Sequence, residues 1–497
     1  MIFIKFYYYG GLKMNNLKQL SARERINLLL DDNSFVEIGA FVHARSTDFN
    51  MASTPTPADG VITGYGLADG NLVYVYSQDA SVMNGAVGEM HAKKILKIYE
   101  LALKTGAPVV GLIDCAGMRL QEATDALNAF GELYFKQTMA SGVIPQITAI
   151  FGTCGGGVAM IPALTDFTFM TKENARLFVN TPNALEHNDI SKCDTSSSQF
   201  QSTQAGTVDY AGESEEDVLA KIRTLISLLP ANCDDESDYT DCIDDLNREN
   251  PVLGGVKDTA YILRDISDSY QYFELKADYA PEMVTALIRL NGMTVGAVAN
   301  RSEFLGEDGT VEKTADAVLT TDGAEKAAAF VKFCDAFSIP VLTLVNVEGY
   351  KATVEEEKTI AKACARLTCA FADATVPKVT VLIDKAFGSA YLAMNSRHIG
   401  ADMVYAYPGA QVGMMNAASA VKIMYADEIK ASDHAQTLMA EKTAEYEKMQ
   451  NSPVSAAARG YVDDIIEPAA TRKRVIAAFE MLYTKREDRP DKKHGTI

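Results

Sequence analysis

The chain lacks several patterns that announce common functions. Its eight cysteines include no C-x-x-C pair, which removes the usual zinc-ribbon spacing. No apolar run approaches the roughly 18 residues of a membrane helix, because Gly, Pro or charge interrupts each one. No stretch reads as a secretory leader, so the cysteines are expected to be reduced thiols of a cytoplasmic protein. Positive charge is also short. Forty-six Lys and Arg against 66 Asp and Glu leave a net charge of −20, which argues against nucleic acid or an anionic lipid surface as partner. An anionic small molecule remains possible, since it needs only a local basic patch.

The 497 residues, 47% of them hydrophobic and 23% charged, suit a globular protein of two to four domains. The opening "MIFIKFYYYGGLK" is apolar and aromatic and gives way to an ordinary polar start at Met14. Codons for Gly10-Gly11 resemble a translated ribosome-binding site. The expectation is a start at Met14, with residues 1–13 a mis-assigned extension.

An internal repeat organises the rest. "GAPVVGLIDCAGMRLQEATDA" and "SIPVLTLVNVEGYKATVEEEK" share a Pro, an apolar strand, a small-residue turn and a Glu- and Ala-rich helix. "GVIPQITAIFGTCGGGVAM" and "ATVPKVTVLIDKAFGSAYLAM" repeat the form. Pro108 and Pro340, Pro145 and Pro377, and Gly156 and Gly388 each lie 232 residues apart. Upstream, "TGYGLADGNLVYVYSQD" matches "TALIRLNGMTVGAVANRSE" at a different offset. Continuous Val/Ile/Leu strands of five to seven residues, each followed by a helical pattern, indicate an α/β fold with buried sheets. The expected domains are 14–232 and 251–497, joined by an acidic linker at 233–250. The polar insert His187 to Gly206 reads as a surface excursion with a short helix.

"FGTCGGGVAM" (Phe151 to Met160) fails two nucleotide templates. A G-x-G-x-x-G fingerprint requires glycine where Met160 stands, and a P-loop requires Lys and a hydroxyl where Val158-Ala159 stand. A strand that ends in glycines and enters a helix leaves first-turn N–H groups unpaired. Such donors stabilise charge developing on an oxygen, typically by about 3–4 kcal/mol each. "FGSAY" (Phe387 to Tyr391) stands at the matching place of the second copy. The glycines alone do not separate this role from close packing of helix on strand.

"YSQDASVMNGAVGEMHAKKI", "CAGMRLQEATDALNAFGELYFKQTMASGVIPQITAIFGTCGGGVAMIPALTDFTFM" and "FADATVPKVTVLIDKAFGSAYLAMNSRHIGADMVYAYPGAQVGMMNA" resemble the carboxyltransferase subunits of biotin-dependent acyl-CoA carboxylases and decarboxylases. The likeness runs from about Asn15 to the end. It implies two tandem crotonase-like domains, each a ββα superhelix, in a homohexamer whose active site lies between the N-domain of one subunit and the C-domain of its partner. It implies transfer of a carboxyl group between biotin on a separate carrier protein and the α-carbon of a short acyl-CoA of the methylmalonyl or propionyl class. By position, Gly156 and Gly157 are the donors to the thioester enolate oxygen, and Ser389 and Ala390 the donors to the ureido oxygen of biotin. Gly117, Arg119, Gly155, Gly388 and Leu392 are assigned to substrate binding, with Arg119 either meeting a CoA phosphate or ordering its loop. Neither anion requires a metal if the donors are preorganised in a dry cleft. Biotin itself can exchange the α-proton, so no side-chain base is obligatory. His91, His187 and His398 are read as surface or structural residues.

The family's second-copy turn, D-x-P-G-F-x-P-G, is here "NVEGYKATVEEEK". Both prolines are gone, Asn346 replaces Asp, Tyr350 replaces Phe, and Gly349 remains. Ser389 replaces a usual Gly. These departures all fall on the biotin side. No biotin-attachment sequence and no ATP-grasp segment is visible, so a biotin carboxyl carrier protein and either a biotin carboxylase or a membrane decarboxylase subunit are the implied partners. The membrane subunit would be the means of any membrane association. The rival readings are a non-catalytic scaffold subunit of such a complex and another crotonase-type acyl-CoA enzyme.

Overall fold

The computed structural model describes residues 19–235, 240–306 and 308–497. The expected start at Met14 lies outside them. In the first copy, α1 (Ala22–Leu29) begins at a capping box of Ser21 and Glu24. It leads through β1 (Val36–Ile38) to a hairpin of β2 (Val61–Ala68) and β3 (Asn71–Gln78). Then follow α2 (Glu89–Thr105), β4 (Val109–Cys115), α3 (Ala123–Ala140), β5 (Gln146–Gly155), β6 (Phe167–Thr171), β7 (Arg176–Phe178), β8 (Tyr210–Gly212) and α4 (Glu215–Leu228). The second copy supplies β9 (Tyr272–Leu275), β10 (Met283–Leu290), β11 (Met293–Asn300), α5 (Thr321–Ala336), β12 (Val341–Val347), α6 (Ile360–Asp373), β13 (Lys378–Phe387), α7 (Gly388–Ala393), β14 (Met403–Ala406), β15 (Gln411–Gly413) and β16 (Asp464–Ile465).

Each copy builds one sheet, in the order β1-β2-β3-β4-β5-β6-β8 and β9-β10-β11-β12-β13-β14-β16, with β7 and β15 paired to β5 and β13. In both, the first three strands are antiparallel and the rest parallel. The two sheets thus correspond strand for strand. Strands β4 and β12 are buried throughout, as expected of a parallel sheet covered on both faces. The long strands β5 and β13 run ten residues, longer than the apolar pattern indicated. Each carries a bulge that adds residues. Ile113 faces Ile150 but Cys115 faces Cys154; Val345 faces Leu382 but Val347 faces Ala386. The copies share a core, where Phe167 meets Phe333 edge-on at 4.7 Å. The insert at 187–206 does carry a helix, Ser198–Thr203, but Ser198 and Ser202 are buried, so it is no simple surface loop.

Buried polar side chains recur at the repeat offset. Lys94 on α2 donates to Ala58 O at 2.8 Å and to Val61 O. Lys326 on α5 donates to Lys276 O and Tyr279 O at 2.7 and 2.8 Å. Each holds the loop before its hairpin, and burial pushes each ammonium down to about 8. Gln146 Nε2 donates to Gln137 O near the end of α3 at 3.1 Å. Its counterpart Lys378 donates to Phe371 O and Ala374 O at the end of α6, at 2.7 and 2.9 Å. A cation suits a helix C-terminus, but either donor can serve carbonyls of the last turns; Gln137 O accepts from Ser141 N as well. Lys378→Gln should therefore leave the thermal unfolding temperature nearly unchanged. Lys378→Met should lower it by the equivalent of about 1–3 kcal/mol for the buried Phe371 carbonyl left unpaired, Ala374 O keeping Arg489. Equal losses in the two variants would refute the capping role.

Candidate active site

Strands β5 and β13 end alike. Gly155 (φ −119, ψ 151) and Phe387 (φ −118, ψ 140) are extended. Each is followed by a left-handed glycine, Gly156 at φ +64 and Gly388 at φ +62. L-residues reach that region only with strain, so glycine is the natural occupant. The chain then enters a helical turn, Gly156–Ala159 running into Met160–Ala163 in the first copy and α7 in the second. The N–H groups at the start of such a turn have no partner within it. No loop or cap hydrogen bond among the described residues engages those of Gly156, Gly157, Gly388, Ser389 or Ala390. A Cβ built on Gly156 would meet nothing within 4 Å, so that face opens outward.

The backbone equates Gly156 with Gly388, Gly157 with Ser389 and Val158 with Ala390. The expected donor pairs, Gly156–Gly157 and Ser389–Ala390, are thus one residue out of step with each other, although all four residues lie in first turns. Tyrosine hydroxyls, which sequence reasoning missed, brace the equivalent residues. Tyr134 donates to Gly157 O at 2.6 Å, and Tyr350 donates to Ser389 Oγ at 2.9 Å. Leu392 sits half-exposed on α7.

The loop facing the first turn contains Gly117, at φ +119, whose Cβ position lies 3.5 Å from Gly155 O. Met118 bridges to Val87, and Arg119 N donates to Val87 O at 2.9 Å. The altered second-copy turn docks the same way. Tyr350 pairs with Leu319, and Lys351 N donates to Leu319 O at 2.8 Å. These backbone bonds need neither proline, which is why the turn keeps its place without them.

Arg119 does not reach toward a phosphate. Its side chain is fully buried and bonds Asp59 Oδ1 at 2.6 Å, Glu122 Oε1 at 2.8 Å and Ala86 O at 2.9 Å. Of the two roles expected for it, only the ordering of the loop has a free hand here. Two carboxylates and two backbone carbonyls take its terminal nitrogens, and Nε is buried without a hydrogen-bond partner. Glu122 in turn accepts from Glu89 N at 2.6 Å, placing a carboxylate at the N-terminus of α2, where the helix dipole favours it. His91 extends the network. Its Nδ1 donates to Asp59 O at 2.9 Å, its backbone N donates to Asp59 Oδ2 at 2.7 Å, and Nε2 meets Gln78 Nε2 at 3.2 Å. Two donors cannot bond each other, so Gln78 Nε2 donates and His91 Nε2 accepts. The ring is neutral, its pKa pushed down to about 3 by burial, with the charges of Arg119 and Lys94 adding to the effect. His398 lies between Tyr391 and Tyr461, and His187 is exposed beside Glu186.

The carboxyl transferase domain family matches residues 16–497. The chain is 39% identical over 504 residues to methylmalonyl-CoA decarboxylase subunit alpha of Propionigenium modestum, covering 98% of this chain and 96% of that one. It is 39% identical over 491 residues to the propionyl-CoA carboxylase beta chain of Roseobacter denitrificans, covering 96% and 94%. Among solved structures, a transcarboxylase 12S hexamer with methylmalonyl-coenzyme A and methylmalonic acid bound aligns at a TM-score of 0.90 and 39% identity, over 96% of this chain and 92% of that one. Among the described residues no helix is long and apolar enough to cross a membrane.

Two outcomes follow from the buried network. Arg119→Met should destabilise the chain by roughly 3–5 kcal/mol, because it strands two buried carboxylates; unchanged thermal stability would rule out the loop-ordering role. For His91, the unfolded ring titrates near its ordinary 6.5 and the folded ring near 3. Its stabilisation is complete above 6.5 and is lost as pH falls toward 3. His91→Gln should flatten the decline of the urea midpoint between pH 6.5 and 4, and an equally steep decline would contradict the neutral assignment.

Proposed function

The chain belongs to the carboxyl transferase family, and from that premise we propose that it moves a carboxyl group between the α-carbon of a methylmalonyl- or propionyl-class acyl-CoA and biotin carried on a separate protein. The observation that carries this reading is the pair of left-handed glycine turns, Gly156 and Gly388, at the ends of corresponding strands. One turn is assigned to each reactant, with residues 14–232 as the acyl-CoA half, 251–497 as the biotin half and 233–250 as the linker.

On the acyl-CoA side, first-turn N–H groups at Gly156 and Gly157 receive the thioester oxygen and hold the charge it gains as the α-carbon becomes an enolate. Tyr134 anchors the Gly157 carbonyl, so the donors do not swing as charge develops. Gly117 lets its loop lie close to the Gly155 carbonyl, and Gly155 makes room for the Phe178 ring beside the turn. On the other side, α7 offers N–H groups from Ser389 and Ala390 behind the left-handed Gly388. These residues fit a ureido ligand. Small residues, Gly388, Ser389 and Ala390, open the turn, and Tyr350 donates to the Ser389 hydroxyl. Biotin, when bound there, supplies the nitrogen that accepts or delivers the carboxyl group. Leu392 faces the acyl moiety as an apolar contact.

The assembly follows the hexamer of the transcarboxylase 12S relative. A biotin carboxyl carrier protein and either a biotin carboxylase or a membrane decarboxylase subunit complete it, in the cytoplasm or held to a membrane through that subunit. Both directions have relatives of equal likeness, a decarboxylase subunit and a carboxylase beta chain each at 39% identity.

Purified chain should transfer carboxyl from methylmalonyl-CoA to free biotin. Gly156→Ala should lower kcat by roughly 100-fold while costing only about 1–2 kcal/mol of stability for an alanine in the left-handed region. CoA binding without any transfer by the wild type would favour the scaffold reading. Full activity of Gly156→Ala would remove that turn from the mechanism.

A further inference from the structure

The strand that leads into the first donor turn carries a bulge backed by a buried carboxylate. Where β4 and β5 lose register, Phe151, Gly152 and Thr153 together oppose Asp114 alone. The Asp114 carboxylate lies against the backbone of this bulge, where the Thr153 N–H favours its charged form. Gly152 lies flat against it, since a Cβ there would fall 2.0 Å from Asp114 Oδ1. Thr153 is three residues before Gly156, within the same strand. The second copy repeats the device with an amide. Asn346 stands 232 residues from Asp114, at the equivalent bulge. Its Oδ1 accepts from Lys385 N at 3.5 Å, three residues before Gly388, and its Nδ2 donates to Ser302 Oγ at 2.9 Å.

The copies differ in how the acceptor is balanced. Asn346 is neutral and needs only Ser302. Asp114 is a buried carboxylate and requires a counter-ion. Arg25 of α1 provides it, with NH1 and NH2 each 3.4 Å from Asp114 Oδ2. Its Nε and NH2 also bond Glu215 at 2.7 and 3.0 Å, and its guanidinium lies 4.9 Å over the ring of Phe151, inside the bulge itself. Gln19 Nε2 donates to Asp114 Oδ2 at 3.2 Å. One arginine from the N-terminal helix thus joins β4, β5 and α4 below the turn.

We infer that Asp114, backed by Arg25, is a positioning residue for carboxyl transfer. It fixes the bulge in β5 and through it the aim of the Gly156 turn, as Asn346 does for the Gly388 turn. The inference rests on the donor role proposed for those turns. A side chain that holds a bulge with one backbone bond specifies where the strand leaves the sheet. The acceptor, rather than the charge, does the holding, because the second copy manages without charge.

The test compares Asp114→Asn with Asp114→Leu in the full-length protein. It measures kcat and KM for methylmalonyl-CoA with free biotin, together with deuterium uptake of peptides covering 146–160. Asp114→Asn keeps an acceptor and should stay within about 3-fold of wild-type kcat. Asp114→Leu should lose roughly 100-fold in kcat with KM nearly unchanged. In that variant, uptake should rise in 146–160 but not in peptides of the second sheet. If Asp114→Leu fails to fold, Asp114→Ser carries the same expectations, its shorter side chain falling short of Thr153 N. Wild-type kcat or unchanged uptake in the variant that lacks the acceptor overturns the inference, as does a 100-fold loss in Asp114→Asn. A wild type without transfer activity would sink the reading of the turns, and deuterium uptake would still decide the clamp.

Discussion

Each half of this protein depends on one backbone constraint, a left-handed residue between a long parallel strand and a helical turn. That reversal brings the unpaired N–H groups of the turn to the end of the sheet, and glycine adopts it without strain. The left-handed glycines Gly156 and Gly388 differ by only 2° in φ. Much of the surrounding structure serves to hold these positions. A bulge sets the strand, a tyrosine hydroxyl braces the residue after the glycine, and a facing loop is hydrogen-bonded to the segment before the preceding helix. Rigid donors stabilise a developing charge without reorganising when it forms, which is the main catalytic resource of a site built from backbone.

Comparison of the copies shows which features the fold requires and which it leaves free. Interactions made to the backbone persist while the side chains that make them change. Gln146 and Lys378 both serve carbonyls near the end of a helix. Asp114 and Asn346 both turn a side-chain acceptor toward a strand N–H at the bulge. In each case one partner is main chain, present whatever the residue, so any side chain of suitable reach and polarity suffices. Charge is distributed unequally. The first copy buries Arg25 and Arg119 among carboxylates beneath its turn and loop. At the position of Arg119, the second copy has Lys351, paired with Asp316 near solvent.

The repeat, the α/β class and both turns were legible in the sequence, because each leaves a local signature: an apolar run, a Pro before it, small residues after it, all at a constant spacing. The loss of two prolines suggested a disturbed second turn, yet that turn docks through the Lys351 to Leu319 backbone bond, which carries no residue-specific mark. The strand lengths were underestimated, because a bulge interrupts the apolar pattern with Gly152 and Thr153 in β5 and with Asp384 and Lys385 in β13. Arg119 sits in a motif beside the turn and reads from there as either a phosphate contact or an orderer of its loop. Its enclosure by Asp59, 60 residues away, and Glu122 is a fact of packing.

What the sequence determined by itself was the duplicated architecture and the two places where backbone donors emerge, since strand, turn and glycine are encoded within a few consecutive residues. What only the tertiary structure decided was the register between the turns, the tyrosines that brace them, and the roles of Arg25, Asp114 and Arg119. Those depend on groups far apart in the chain, Arg25 with Glu215 across 190 residues and Tyr350 with Ser389 across 39. Their partnership follows from burial, which forces each polar group to find a counterpart wherever the fold brings one near.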